Sequence, residues 1–552
     1  MEQSSNTNNR WLYLFIAIAV LVNFSGLFVT IIEPDGALYA SIAKTMVWNN
    51  NYADLFVNGQ EWLDKPHFPF WAAALSFKIF GINTWAYKLP AILFVMLGAW
   101  YTYKFALEVY NKQIALWSVL ILLTAEHLII SNNDVRAEPY LTGLIIASVY
   151  YFYKAQGQRW FWNIILGALF AACAVMTKGI FAVIPVAGAI FGHLIITRQW
   201  KLMFHVRWLL AIIAGSIFIL PELWCLYMQF DVHPEKVVFG QTNVSGLKFF
   251  FWDSQFGRFF NDGPIKKANG DPLFFLHTTL WAFLPWSVML YVGIVQFLRN
   301  KGLQVKAKEW YSICGAGLTF LIFSLSKFQL PHYITIIFPF FAILTAQYFY
   351  GLDRKSEKII HVIQIVVITV MVLIIGLLHF FFRPENTDVL TFAILLLCLT
   401  LVAVVRYQIH GRYQILYLTC AAAFFVNLYF NLAYYPRLVQ YQADSMAAFY
   451  INAHNRAGLP VVQIENGTSY ALDFYLNQTA ASYVLDQGKP LPKGPYLLFG
   501  DTDAIEQLKK RGLLVQPIKS FERFRITLVN KKFLNSATRQ DVVQSSELVL
   551  VK

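Results

Sequence analysis

Apolar runs of 18 residues or more recur along this chain, and no other feature limits its fold so tightly. Each is long enough to cross a hydrocarbon core of roughly 30 Å as a helix, which satisfies its own backbone polar groups there. The first, Trp11 to Ile32, contains Asn23 and Ser25 and lacks a small-residue cleavage site, so it reads as a retained helix rather than a signal peptide. Spans are expected over 11–32, 84–107, 114–131, 139–153, 160–176, 179–197, 208–229, 273–298, 310–326, 329–350, 358–381, 387–405 and 413–434, thirteen in all. With 57% hydrophobic and only 14% charged residues, the whole chain sits among polytopic helical membrane proteins.

The net charge of +13 does not mark a nucleic-acid binder, because the basic residues are spread over short connections between apolar runs. Arg198, Lys201, Arg207, Arg299, Lys301, Lys306, Lys308, Arg354, Lys355, Lys358, Arg406 and Arg412 fall on one side, which the positive-inside bias makes cytoplasmic. The opposite side then receives residues 33–83, residues 230–272 and everything after about 435. Past that point the long apolar runs stop. LPVVQI (459–464), PYLLFG (495–500) and RFRITLVN (523–530) read as strands, and AIEQLKKRG (504–512) as a helix with a glycine stop. The expected architecture is a polytopic α-helical membrane domain over 1–434 and a small external α/β domain over 435–552. Residues 66–83, broken by Pro66, Pro69, Lys78 and Gly81, suit a pair of interfacial helices better than a span. Cys173, Cys225, Cys314, Cys398 and Cys420 all lie within apolar stretches, so no disulfide framework is expected.

Charges recur where the outward connections meet the membrane. IIEPDGALYA (31–40) carries Glu33 and Asp35, with Tyr39 one helical turn on. EWLDKPHFPFW (61–71) sets Asp64 and Lys65 ahead of Pro66 among four Phe or Trp residues and His67. SNNDVRAEPYL (131–141) supplies Asp134, Arg136 and Glu138, and MTKGIF (176–181) supplies Lys178. Arg258 stands among five Phe or Trp residues in FWDSQFGRFF (251–260), and SLSKFQLPHY (324–333) brings Lys327, His332 and Tyr333. A lone lysine at a helix end ordinarily snorkels to the interface. Cations and carboxylates gathered on one face at headgroup depth point instead to a lipid phosphate and a group transferred from it. Lys and Arg would hold the phosphate and stabilise it as it leaves, and a carboxylate would take the proton of an incoming hydroxyl.

In this order the motifs resemble those of the integral-membrane GT-C glycosyltransferases that use polyprenyl-phosphate sugars, above all the lipid A aminoarabinose transferases and the wider protein-mannosyltransferase-like family. PDGALYA resembles that family's first-loop Pro-Asp-Glu motif, and DKPHFPFW its Lys-Pro-Pro-Leu segment. AEPYL, MTKG and SKFQLPHYITIIFP resemble its second acidic, its lysine and its Ser-Lys…Leu-Pro-Tyr segments. The resemblance implies Asp35 and Glu138 as the catalytic acidic positions acting on the acceptor. It implies Lys65 and Arg258 as cations on the carrier phosphate, with Tyr39, Lys178, Lys327 and Tyr333 completing the substrate site. It also implies an undecaprenyl-phosphate sugar donor, a lipid or protein acceptor, and a bacterial inner-membrane location with the site facing the periplasm. The chain departs from the family pattern at Gly36, where an acid is usual, at His67 in place of the second proline, and at Glu138 where Asp is common. His332 also precedes the expected tyrosine.

No cofactor is expected. A divalent metal would have to be gathered from Glu33, Asp35, Asp64, His67, His277 and His332, with Asp64 and His277 the positions to watch. No tight ligand spacing marks them. Three other functions stay open at this point: a protein O-mannosyltransferase-like enzyme, a transporter of a lipid-linked sugar, and a structural or assembly protein whose external domain binds partners. Transporters favour sites at the bilayer midplane and internal repeats, and the charges here gather at the boundary instead.

Overall fold

The computed structural model describes residues 2–262, 264–265, 270–299, 309–385, 387–464, 470–485 and 491–552, with side chains from Arg10 onward. Lys301, Lys306 and Lys308, counted above for orientation, lie outside the described residues. Every expected span is helical over most of its length, and the helices differ widely in length. Among the described residues, seven helices are long and apolar enough to span a membrane. There are eight if Lys112–Leu123 and Glu126–Asn133, bent by 50°, form one span. Arg10–Phe24, Ile180–Ile196, Ser287–Arg299 and Tyr311–Leu325 are shorter apolar helices.

Local chemistry sets where these helices end. The first helix ends at Phe24, where Ser25 caps the Val22 carbonyl, rather than running on to Ile32. The turn that follows is held by Lys88, fully buried on helix Thr84–Val109, which donates to the carbonyls of Gly26 at 3.1 Å and Val29 at 2.7 Å. The expected span 273–298 breaks into Phe274–Ala282 and Ser287–Arg299 at Pro285, which has no N–H to continue a helix. Residues 66–83 form one helix, Phe68–Phe80, and not a pair. Its inner face (Phe70, Ala73, Ala74, Phe77) is buried.

The bundle packs closely where side chains are smallest. Helices Thr84–Val109 and Glu138–Lys154 meet at Gly98 and Gly143. A Cβ on Gly143 would come within 2.2 Å of the Phe94 carbonyl oxygen, so only glycine permits this approach.

After the last long helix the chain builds a five-stranded sheet in the order Ala480–Tyr483, Val461–Ile464, Tyr496–Asp501, Gln544–Val551, Val515–Arg523. The first three strands run parallel and the last two pair antiparallel. Alternate residues face opposite ways. Val461, Leu497, Phe499 and Leu548 pack under helix Ala443–His454, while Val462, Leu498 and Val549 pack under helix Thr502–Lys510. The stretch read as a strand over 523–530 leaves the sheet at Arg523. Phe524 donates its N–H to the Tyr441 carbonyl and stacks on Phe533 at 3.9 Å, exchanging a ladder position for an aromatic cluster.

The short helix Ala471–Tyr475 ties this region to the segment that begins with Glu33. At its start, Glu33 accepts from the N–H groups of Tyr470 at 3.1 Å and Ala471 at 2.6 Å. At its end, the buried Lys44 ammonium donates to the carbonyls of Asp473, Phe474 and Leu476. Asp35 and Tyr39 lie between these two anchors in sequence.

Candidate functional site

Helix Asp35–Asn49 opens on Asp35, whose carboxylate suits the exposed N–H groups of a first turn. Arg136, in the connection between helices Glu126–Asn133 and Glu138–Lys154, reaches it with Nη1 at 2.5 Å. The same guanidinium grips Asp134 with Nη2 at 2.6 Å and Nε at 2.9 Å. Burial pushes the Asp134 carboxyl above its ordinary range although Arg136 opposes that shift. Asp35 is the open member of the group, its side chain 42% exposed. A Cβ at Gly36 would meet Ile31 at 3.2 Å and an Asp134 oxygen at 3.4 Å, so a side chain there would need the Ile31 methyl to give by a few tenths of an ångström.

Glu138 begins the next helix and is almost fully buried. Lys178, the last residue of helix Trp160–Lys178, forms an ion pair with it, and His332 Nε2 stands 3.9 Å from the same oxygen. The Lys178 ammonium also lies 3.6 Å from the centre of the Tyr333 ring. The chain turns at Gly179 with φ +94°, directly against the Gln255 side chain. Gln255 donates to the Lys178 carbonyl at 3.1 Å and accepts from the Phe181 N–H at 3.3 Å.

A third group joins two cations through one carboxylate. Asp64 accepts from Lys65 Nζ at 2.7 Å on one oxygen and from the Arg258 guanidinium on the other. Burial pulls the Lys65 ammonium below its ordinary range, against the pull of Tyr333, Asp35 and Glu138. Arg258 lies 5.6 Å from the centre of the Phe328 ring. A cleft with about 620 Å³ of empty space, its open mouth included, lies beside these residues, with Lys178, Ser254, Gln255, Arg258, Ser326 and Tyr333 as its polar lining. Phe181, Phe259, Phe323 and Phe328 supply much of the rest, a shape suited to a phosphate attached to a hydrocarbon chain.

The structure therefore brings Asp35, Lys65, Glu138, Lys178, Arg258 and Tyr333 into one neighbourhood. Tyr39 lies one turn below Asp35 with its ring edge-on to Phe70 at 5.2 Å, and burial, then Asp35 and Glu138, raises its hydroxyl well above the usual tyrosine range. Lys327 stands apart: it is exposed and absent from the cavity wall, because only its backbone N–H turns inward, to the Phe259 carbonyl at 3.0 Å. His277 is exposed too, 3.9 Å from Asp271 and far from a ligand set with Asp64, whose oxygens are taken by Lys65 and Arg258. Among the described residues no three His, Cys, Asp or Glu side chains gather as metal ligands. Glu33 is spent on the 470–471 backbone. Arg136 and Gln255 received no role from the sequence. The one available signal for Arg136 was its place two residues from an acid on either side.

The profile of the dolichyl-phosphate-mannose-protein mannosyltransferase family matches residues 64–224. An uncharacterized protein of Aquifex aeolicus is 28% identical over 68% of this chain and 71% of its own length. An undecaprenyl phosphate-alpha-4-amino-4-deoxy-L-arabinose arabinosyl transferase of Edwardsiella ictaluri is 27% identical over 60% of this chain, and the match spans 57% of that protein. The chain thus covers little more than half of the arabinosyl transferases it matches. The crystal structure of ArnT from Cupriavidus metallidurans bound to undecaprenyl phosphate superposes with a TM-score of 0.75 over 98% of both chains at 17% identity, so the fold is the same.

Proposed function

We propose that this chain, a membrane glycosyltransferase of the GT-C type akin to the aminoarabinose transferases, moves a sugar from undecaprenyl phosphate to lipid A or another envelope glycolipid. The observation that carries the reading is the Lys65–Asp64–Arg258 bridge beside an aromatic cavity that Lys178 also lines. In the reaction an acceptor oxygen bonds to the anomeric carbon while the bond from that carbon to the phosphate oxygen breaks. The bonding electrons leave with the lipid phosphate. Lys65, Arg258 and Lys178 meet that charge, a contribution on the order of 10²–10³ in rate for a well-placed donor. Asp64 spaces the two cations. Asp35, partly exposed and held by Arg136, takes the acceptor proton. Glu138 holds Lys178 in line and extends the acidic wall. The reading calls on no cofactor, since cations already stand where the leaving charge develops.

A protein acceptor is the second reading, favoured by the family match over 64–224. One experiment addresses both. Lipid A and secreted glycoproteins from cells carrying the wild type or Asp35→Asn are compared by mass spectrometry. The proposal expects a sugar to vanish from lipid A alone in the variant, with transfer reduced by about 10²-fold or more. Loss from protein alone would replace lipid A with a protein acceptor. Unchanged glycans in both would remove Asp35 from the chemistry and return the chain to the transporter reading.

A further inference from the structure

Glu222 is an ionisable residue inside the apolar stretch Trp200–Asp231, and neither it nor its partner takes part in the chemistry above. Such a residue is expensive to keep and ordinarily has a named partner. Here the partner is His67, and both side chains are completely buried. One Glu222 oxygen accepts the His67 backbone N–H at 3.0 Å, and the other faces His67 Nδ1 at 3.0 Å. The far ring nitrogen, Nε2, faces the Ala53 carbonyl at 2.9 Å. A carbonyl oxygen only accepts, so Nε2 carries a proton, and a second proton must lie between Nδ1 and the carboxylate. Asp54 and Cys225 are the other titratable neighbours, and the Trp71 ring covers the imidazole at 5.2 Å.

Seven residues beyond Glu222, Gln229 repeats the grip two turns along. It exchanges hydrogen bonds with both backbone groups of Leu55, at 3.0 and 2.9 Å, and donates to Glu61 at 2.7 Å. Residues 55–67 are thus fastened to this helix at both ends, and Lys65 sits two residues before the fastening at His67. Pro66, with φ locked by its ring, is the only link between Lys65 and His67.

We propose that the His67–Glu222 pair is a proton-sharing latch that sets where Lys65 meets the carrier phosphate, and so governs affinity for that phosphate rather than stability of the fold. It rests on the assignment of Lys65 to the phosphate. A buried ion pair exchanged as a unit for apolar residues of similar size is often neutral or stabilising, so a purely structural role would survive that exchange. Glu222 raises the His67 imidazole above its usual range even though burial alone would lower it.

The test measures binding of undecaprenyl phosphate to the full chain in lipid nanodiscs, together with the thermal midpoint. The double variant His67→Phe, Glu222→Leu should melt no lower than wild type and bind at least about tenfold more weakly, as expected when a binding group is misplaced by an ångström. Wild-type affinity in the folded double variant overturns the latch. Should it not fold, histidine C2–H exchange followed by mass spectrometry decides. His67 must titrate above an ordinary histidine in wild type and fall in Glu222→Gln; an ordinary value in wild type overturns the latch. Lys65→Ala separates the two levels. Its retaining wild-type affinity would defeat the phosphate assignment itself, whereas lost affinity there with normal binding in the latch variants would defeat only the latch.

Discussion

At the scale of single residues, the site is a set of paired opposite charges whose geometry depends on uncharged neighbours. Lys178 leaves its helix at Gly179, whose φ of +94° strains any residue with a Cβ. A Cβ there would fall 2.1 Å from Gln255 Nε2. Gly179→Ala should therefore drive Gln255 off the Lys178 carbonyl, tilt the cation and lower transfer by about tenfold or more. Gly157→Ala, at a turn where the new methyl meets only the Lys154 carbonyl oxygen at 3.5 Å, serves as the control and should leave transfer unchanged. Equal activity of the two variants would show that Lys178 needs no such support. The charged residues themselves were readable because they interrupt greasy sequence. Gln255 and the orienting role of Arg136 were not, since a role that consists of orienting another side chain leaves no mark until the partner's position is known.

At the scale of elements, the helix Ala471–Tyr475 is gripped by residues more than 400 positions earlier. The grip has a titratable end. Burial lowers Lys44 to about 8, with Asp473 opposing the shift. An unfolded lysine titrates near 10.4, so between about pH 8 and about 10.4 the unfolded chain holds the extra proton and stability rises with pH. The thermal midpoint of wild type should climb relative to Lys44→Met across that window and run parallel to it below pH 7. Parallel curves throughout would mean that Lys44 is not buried in its charged form. Helix starts and stops were legible to within a few residues wherever a cap or proline marked them, as at Asn83 before Thr84–Val109. The strand expected over 523–530 did not form, because aromatic packing around Phe533 outcompeted a β-prone sequence.

At the scale of the whole molecule, orientation joins the site to its substrates. If the cavity opens away from the cytoplasm, a cysteine introduced at the exposed Asn477 should react with a membrane-impermeant maleimide in intact cells, and one at Arg198 only after lysis. The reverse pattern would turn the site to the cytoplasm and remove a periplasmic acceptor. The sequence by itself determined that the chain is a polytopic helical membrane protein and that its charges gather at the ends of helices. Hydrophobic run length and charge placement are local properties, set by the solvent each residue must meet. The breaks within the apolar runs, the pairing of Lys65 with Asp64 and Arg258, the retreat of Lys327 and His277, and the use of Glu33 as an anchor for residues 470–471 were decided only by tertiary structure. Each depends on which distant segment supplies the hydrogen-bond partner or the counter-charge, and a buried polar group takes whichever partner the packing brings within reach.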